Sequence, residues 1–108
     1  MTDSEREILG LAIERYGAEA QTDMAIEEMS ELTKALLKYR RSQHGDKTCG
    51  NNLVGNIVEE IEDVQIMLDQ MKIIYGSSES ERRYKIYRLI HRMGERMDGE
   101  KNDANDSK

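Results

Sequence analysis

The sequence predicts an all-α fold, a four-helix bundle-like module. Its 108 residues contain no proline, the residue that most strongly interrupts a helix. Apolar residues recur every three or four positions, and no segment alternates apolar and polar residues as a half-buried strand does. Gly, Ser and Asn residues separate four such stretches. We therefore expect one all-α domain over residues 1–98 and a disordered polar tail over residues 99–108.

A single glycine separates the first two predicted helices. Ser4-x-x-Glu7 has the pattern of a capping box, so the first helix is expected to begin there and to end at about Tyr16, before Gly17. The second helix is expected over residues 18–41, with an apolar stripe at nearly heptad spacing. The stripe consists of Met24, Ala25, Met29, Leu32, Ala35, Leu36 and Tyr39.

A polar loop, residues 44–52, precedes the third predicted helix, residues 53–75. Ser78-x-x-Glu81 supplies the capping box of a fourth helix, which is expected to end near Met97. One row of the third helix is apolar except at a single glutamate. This row consists of Leu53, Ile57, Glu60, Val64, Met67, Met71 and Ile74.

The segment from Val64 to Tyr75 carries apolar residues nearly all around the helix, more than the core of one bundle requires. Such a surplus is typical of a subunit interface, and it predicts a homodimer or homotetramer. The alternative is a helix buried centrally within its own bundle.

Charge and composition exclude several classes of protein. A net charge of −6 and an isoelectric point near 5.0 oppose binding to nucleic acid or to an anionic membrane surface. The sequence has no run of 18 apolar residues and no signal-like start, so a cytoplasmic protein is expected. The single cysteine, Cys49, fits a reducing compartment and is interpreted as a free thiol.

Two acidic clusters lie inside the apolar helical patterns. Carboxylates three residues apart share a helix face, so Glu28 pairs with Glu31, and Glu60 pairs with Asp63. If the two helices pack together, carboxylates about 4 to 6 Å apart repel by roughly 1 to 4 kcal/mol. A hard divalent cation relieves this repulsion. The full clusters are Glu27-Glu28-x-x-Glu31 and Glu59-Glu60-x-Glu62-Asp63.

Ordinary solvated helix faces, or pairs with Lys and Arg, are the alternative explanation of these clusters. The third helix has no Lys or Arg between Leu53 and Met71, and Glu60 interrupts an apolar row. A metal site therefore explains the pattern better.

One face of the second helix changes from acidic to basic along its length, as a site for a metal-bound polyphosphate would. Surface pairing such as Glu31 with Lys34, worth a few tenths of a kcal/mol, is the alternative. The face consists of Glu27, Glu31, Lys34, Lys38 and Arg41.

These residues resemble the MazG-like all-α nucleoside triphosphate pyrophosphohydrolases. The resemblance rests on an EExxE motif ending at Glu31, on Lys38 and Arg41, and on an ExxD motif from Glu60 to Asp63. It extends over residues 16–76.

The resemblance implies a domain that forms a dimer or tetramer, binds Mg²⁺, with Mn²⁺ as a substitute, and cleaves an NTP or dNTP to the monophosphate and pyrophosphate. Nucleotide-pool house-cleaning would be the role. By motif position the metal ligands would be Glu28, Glu31, Glu60 and Asp63, with Glu27 a weaker candidate.

The resemblance also implies roles in catalysis and substrate binding. Either Glu28 or Glu31 would accept the proton from the attacking water. Gln21 resembles a position near the nucleobase, although a solvated Gln at a helix start has the same pattern. Lys34, Lys38 and Arg41 would bind the phosphates.

Two other classes of helical protein share parts of this pattern. A ferritin-like di-iron bundle needs Glu-x-x-His motifs, but an arginine precedes both His44 and His91 by three residues. A non-catalytic helical interaction or adaptor protein, using the apolar face of the third helix, stays as the alternative function.

Overall fold

The computed structural model describes the backbone of residues 1–102 and the side chains of residues 1–94. Residues 1–102 form four α-helices and no strand, which confirms the predicted all-α class. The helices are α1 (Asp3–Tyr16), α2 (Ala18–Gln43), α3 (Leu53–Tyr75) and α4 (Glu79–Asn102). None of these helices is long and apolar enough to cross a membrane. Most of the predicted disordered tail, residues 103–108, lies outside the described residues.

The chain divides into two compact units, Met1–Gly76 and Ser77–Lys108. In the first unit α2 and α3 pack along each other, and α1 contacts both. Gln21 near the start of α2 is hydrogen-bonded to Gln70 near the end of α3, so the two helices run antiparallel. The second unit contains α4.

Buried and half-buried side chains form a seam along α2 and α3. On α3 this row is the predicted one, with Val64 and Met67 buried and the other members half-buried. On α2 the predicted stripe is only partly correct, because Met24, Met29 and Leu36 are 41%, 42% and 44% exposed. The α2 row of the seam instead consists of Gln21, Ala25, Glu28, Leu32, Ala35 and Tyr39.

The start of α1 differs from the prediction. Thr2, rather than Ser4, is the N-cap residue: its hydroxyl accepts a hydrogen bond from the Glu5 N–H at 3.0 Å, and the Glu5 carboxylate accepts from the Thr2 N–H at 3.0 Å. The sequence therefore contains two overlapping capping boxes. The earlier box adds backbone hydrogen bonds to the helix, and Ser4 lies in the first turn.

The predicted capping of α4 is confirmed at its N-terminal end, since the Ser78 hydroxyl accepts a hydrogen bond from the Glu81 N–H at 3.1 Å. The helix continues to Asn102, beyond the predicted end near Met97. No proline stops it, and its two glycines, Gly94 and Gly99, each cost only about 1 kcal/mol relative to alanine. Residues 99–102, the first of the predicted tail, continue this helix, and the disordered tail itself stays a prediction.

Candidate metal centre and adjoining cavity

Three carboxylates from two helices converge in the first unit. One oxygen each from Glu28 on α2 and from Glu60 and Asp63 on α3 lie within 4.8 Å of one another. Glu28 and Glu60 occupy the seam and are half-buried, whereas Asp63 is exposed. Because both helices are held by the apolar residues above and below this level, the packing itself brings the like charges together.

Burial and neighbouring negative charges raise the pKa values of Glu28 and Glu60. Partial burial raises the pKa of Glu28, and the negative charges of Asp63 and Glu60 raise it further. Burial and the charge of Asp63 act in the same direction on the pKa of Glu60. Within the described side chains, none of the three carboxylates forms an ion pair with Lys or Arg. The negative charge of the cluster is therefore not compensated by these residues.

The donor set is compatible with a hard divalent cation. Mg²⁺ takes oxygen ligands in octahedral geometry at about 2.0–2.1 Å, so neighbouring ligand oxygens lie about 3 Å apart and opposite ones about 4 Å apart. The three carboxylate oxygens lie within 4.8 Å of one another, close to this range. The three ligands contain neither the Cys nor the His that a structural zinc site prefers.

Glu31, the fourth predicted ligand, lies beside the cluster. Its Oε1 atom is 3.8 Å from Nζ of Lys34, and both side chains are exposed. Its charge still raises the pKa values of Glu28 and Glu60, so it is close enough to act on the cluster electrostatically. The weaker candidate, Glu27, is exposed. Metal ligation by Glu31 stays a prediction, as does its role as general base.

A cavity of about 150 Å³ adjoins the carboxylates. Glu60 belongs to both the cluster and the cavity wall, and two of the predicted phosphate-binding residues, Lys34 and Lys38, line the same space. The negative carboxylates and the positive lysine side chains therefore line one continuous site. The lining residues are Glu31, Lys34, Ala35, Lys38, Leu53, Asn56 and Glu60.

Arg41 lies further along α2 and is not among the cavity-lining residues. Its Nε atom is 3.8 Å from the Asp46 carboxylate in the loop. Hydrogen bonds from the Thr48 hydroxyl and backbone, followed by the charge of Arg41, lower the pKa of Asp46. Arg41 therefore helps to hold the loop, and phosphate binding by this residue stays a prediction.

Gln21 lies about two helical turns from Glu28, in the direction away from the cavity. It is 9% exposed, so the alternative of a solvated Gln is wrong. Its Nε2 atom donates to Oε1 of Gln70 at 2.7 Å, and the Gln70 amide contacts Sδ of Met67 at 3.7 Å. This buried pair ties α2 to α3, and nucleobase binding by Gln21 stays a prediction.

Gln70→Leu is expected to lower the free energy of unfolding by about 1–3 kcal/mol, because Gln21 then keeps a buried amide without a partner. The double variant with Gln21→Leu removes both polar groups and should recover most of this loss. Chemical unfolding of the two single variants and the double variant measures the coupling. If the double variant lost as much free energy of unfolding as the two single variants together, Gln21 and Gln70 would not be a buried structural pair.

Two residues of this region were missed by the sequence reasoning. Asn56 lies one helical turn before Glu60, so its spacing from the acidic motif placed it on the same face. Gln70 follows Met67 by three residues, as a polar residue among apolar ones. In both cases the helical spacing from a recognised residue could have indicated the position.

Comparison with known proteins adds no assignment. The chain matches no protein-family model, no curated protein and no solved structure. The resemblance to MazG-like proteins therefore rests on the motif residues named above.

Proposed function

We propose that this chain is a magnesium-dependent nucleoside triphosphate pyrophosphohydrolase of the MazG-like type, which converts an NTP or dNTP to the monophosphate and pyrophosphate. The observation that carries the proposal is the convergence of Glu28, Glu60 and Asp63 beside a cavity lined by Lys34 and Lys38. Carboxylates that suit a hard cation, followed by two ammonium groups, complement a metal-bound polyphosphate in charge.

In this proposal, different residues bind the phosphates and accept the proton of the attacking water. A bound Mg²⁺ would supply charge stabilisation at the phosphate oxygens and a coordinated water of lowered pKa. Lys34 and Lys38 neutralise phosphate charge in the cavity. The proton of the attacking water passes to Glu28 or to Glu31, and the choice between them stays open. Glu31 keeps a carboxylate outside the convergent cluster, which suits a base.

The adaptor alternative is favoured by a different observation. Val54, Val58 and Ile61 form an apolar stripe on α3 and are 56%, 55% and 45% exposed. Such a stripe suits a protein partner, but it leaves the carboxylate cluster unexplained. The predicted homodimer or homotetramer was based on Val64 to Tyr75, where Ile66, Leu68 and Tyr75 are exposed. This assembly, like the four-helix bundle, stays a prediction.

Incubation with a panel of common and modified nucleoside triphosphates is expected to release pyrophosphate, with little orthophosphate, from at least one of them in millimolar Mg²⁺. Attack at the α-phosphate leaves the two outer phosphates joined, so pyrophosphate is the diagnostic product. Chelator should stop the reaction, and Mn²⁺ should restore it. Release of orthophosphate alone, or no turnover on the whole panel, would overturn the proposed function.

A further inference from the structure

Asn56 lines the same cavity as Lys34 and Lys38, on the opposite helix. It lies four residues before Glu60 on α3, whereas Lys34 and Lys38 come after Glu28 on α2. Because the two helices are antiparallel, Asn56 and the lysines lie on the same side of the carboxylate cluster. Its carboxamide carries two N–H donors. No hydrogen bond within the described residues occupies these donors, and the side chain is exposed. The Asn56 amide is thus free to contact a ligand.

We infer that Asn56 is a substrate-positioning residue, whose amide donates a hydrogen bond to the pyrophosphate portion of the triphosphate while Lys34 and Lys38 contact the same portion. This inference rests on the proposed function and deepens it by giving the bound substrate a direction. A neutral donor at this place adds a hydrogen bond to phosphate oxygens without a further negative charge near Glu60.

The order of the charged groups along the two helices gives the bound substrate a direction. The cavity, at about 150 Å³, is lined by two lysines and the Asn56 amide, groups that complement phosphate oxygens. The carboxylate cluster lies at one end of it through Glu60. The α-phosphate therefore lies at the cluster and the two outer phosphates lie in the cavity, so that the leaving pyrophosphate is held by Lys34, Lys38 and Asn56.

Two substitutions at this residue separate ligand binding from helix stability. Asn56 belongs to the first helical turn of α3, where a negative side chain stabilises the helix and a positive one destabilises it. Asn56→Asp should therefore be the more stable variant and Asn56→Lys the less stable one. Affinity for pyrophosphate should follow the opposite order, because Asp repels the anion and Lys attracts it.

Calorimetric titration of the full-length protein with magnesium pyrophosphate tests the inference. Asn56→Asp should raise the dissociation constant at least tenfold, whereas Asn56→Lys should match the parent or bind more tightly. Asn51→Asp is the matched control: Asn51 is exposed just before α3 but does not line the cavity, and its substitution should change the constant less than threefold. An Asn56→Asp variant that binds within threefold of the parent would overturn the inference, as would affinities that follow the melting temperatures.

Turnover, measured separately, distinguishes this inference from the proposed function. A parent that releases pyrophosphate from a triphosphate, together with an Asn56→Asp variant of unchanged KM and unchanged pyrophosphate affinity, overturns only the role of Asn56. A parent that binds pyrophosphate through Asn56 but hydrolyses no triphosphate overturns the proposed function and supports the anion site. In the active enzyme the substitution should raise KM for the triphosphate at least tenfold.

Discussion

Glu60→Gln and Asp63→Asn are each expected to reduce pyrophosphate release by more than about 100-fold, beyond the 10- to 100-fold effect of disturbing the outer-shell partners of a metal. The metal-free protein should nevertheless be as stable as the parent or more so. The amides keep the side-chain volume, so neither substitution leaves a cavity. Each also removes one negative charge from a cluster that no Lys or Arg among the described side chains compensates.

Magnesium should reverse this order of stability. A ligand that binds only the folded protein, at a hundred times its dissociation constant, adds about 2.7 kcal/mol, or roughly 10–20 °C in Tm for a domain of this size. The parent should gain this stabilisation, and the Glu60→Gln and Asp63→Asn variants should lose most of it. Thermal melts in chelator and in millimolar Mg²⁺ measure both effects.

Glu62→Gln is the matched control for these variants. Glu62 lies in the same motif and carries the same charge, but it is exposed and does not belong to the convergent cluster. Its substitution should leave both activity and the magnesium-induced shift close to those of the parent. If Glu60→Gln and Asp63→Asn melt well below the parent even in chelator, these residues are structural partners and the metal site is wrong.

The sequence predicted α3 closely because its boundaries are set locally. A loop rich in Gly and Asn precedes Leu53, and Gly76 at φ 106 follows Tyr75, so both ends depend on neighbouring residues alone. The place of Glu60 in the seam was predictable for the same reason, since an apolar row on one helix shows which face packs.

The difference between Glu28 and Glu31 was not predictable, because it depends on the rotation of α2 against α3. Residues three apart on an α-helix are offset by about 60° around its axis. That offset places Glu28 in the seam and leaves Glu31 exposed, beside Lys34. The apolar pattern of α2 permits either rotation, since its methionines and leucines surround much of the helix. Only packing against α3 selects one.

Asn56 escaped the sequence reasoning for a related reason. A polar residue in the first turn of a helix is common and needs no functional explanation. Its proximity to Lys34 and Lys38 arises from residues far apart in the sequence, through the antiparallel pairing of α2 and α3. The acidic motifs were visible because each lies within a few consecutive residues, whereas the cavity is made by two helices together.

Lowering the pH is expected to stabilise the metal-free protein through Glu28 and Glu60. Their pKa values are raised above the ordinary 4.5 in the folded state, by partial burial and by neighbouring carboxylates, so the folded protein binds protons more tightly than the unfolded chain. This stabilisation is fully present below 4.5 and is lost as the pH rises through the raised values. The pKa of Asp46 is lowered from 3.8, so this residue destabilises the folded protein on acidification, but only below about pH 3.8.

Acid should at the same time weaken the effect of magnesium, because the cation needs the same carboxylates deprotonated. Melts from about pH 7.5 down to pH 4.5 should show a magnesium-induced shift that shrinks as the metal-free protein gains stability relative to Glu60→Gln. The comparison with this variant isolates the cluster, since every other titrating group is shared. The contrary result is a metal-free parent that loses stability relative to Glu60→Gln when the pH falls. That result would show that the fold keeps Glu28 and Glu60 ionised. The carboxylates would then be paired within the protein, and the reason for a cation at this site would be lost.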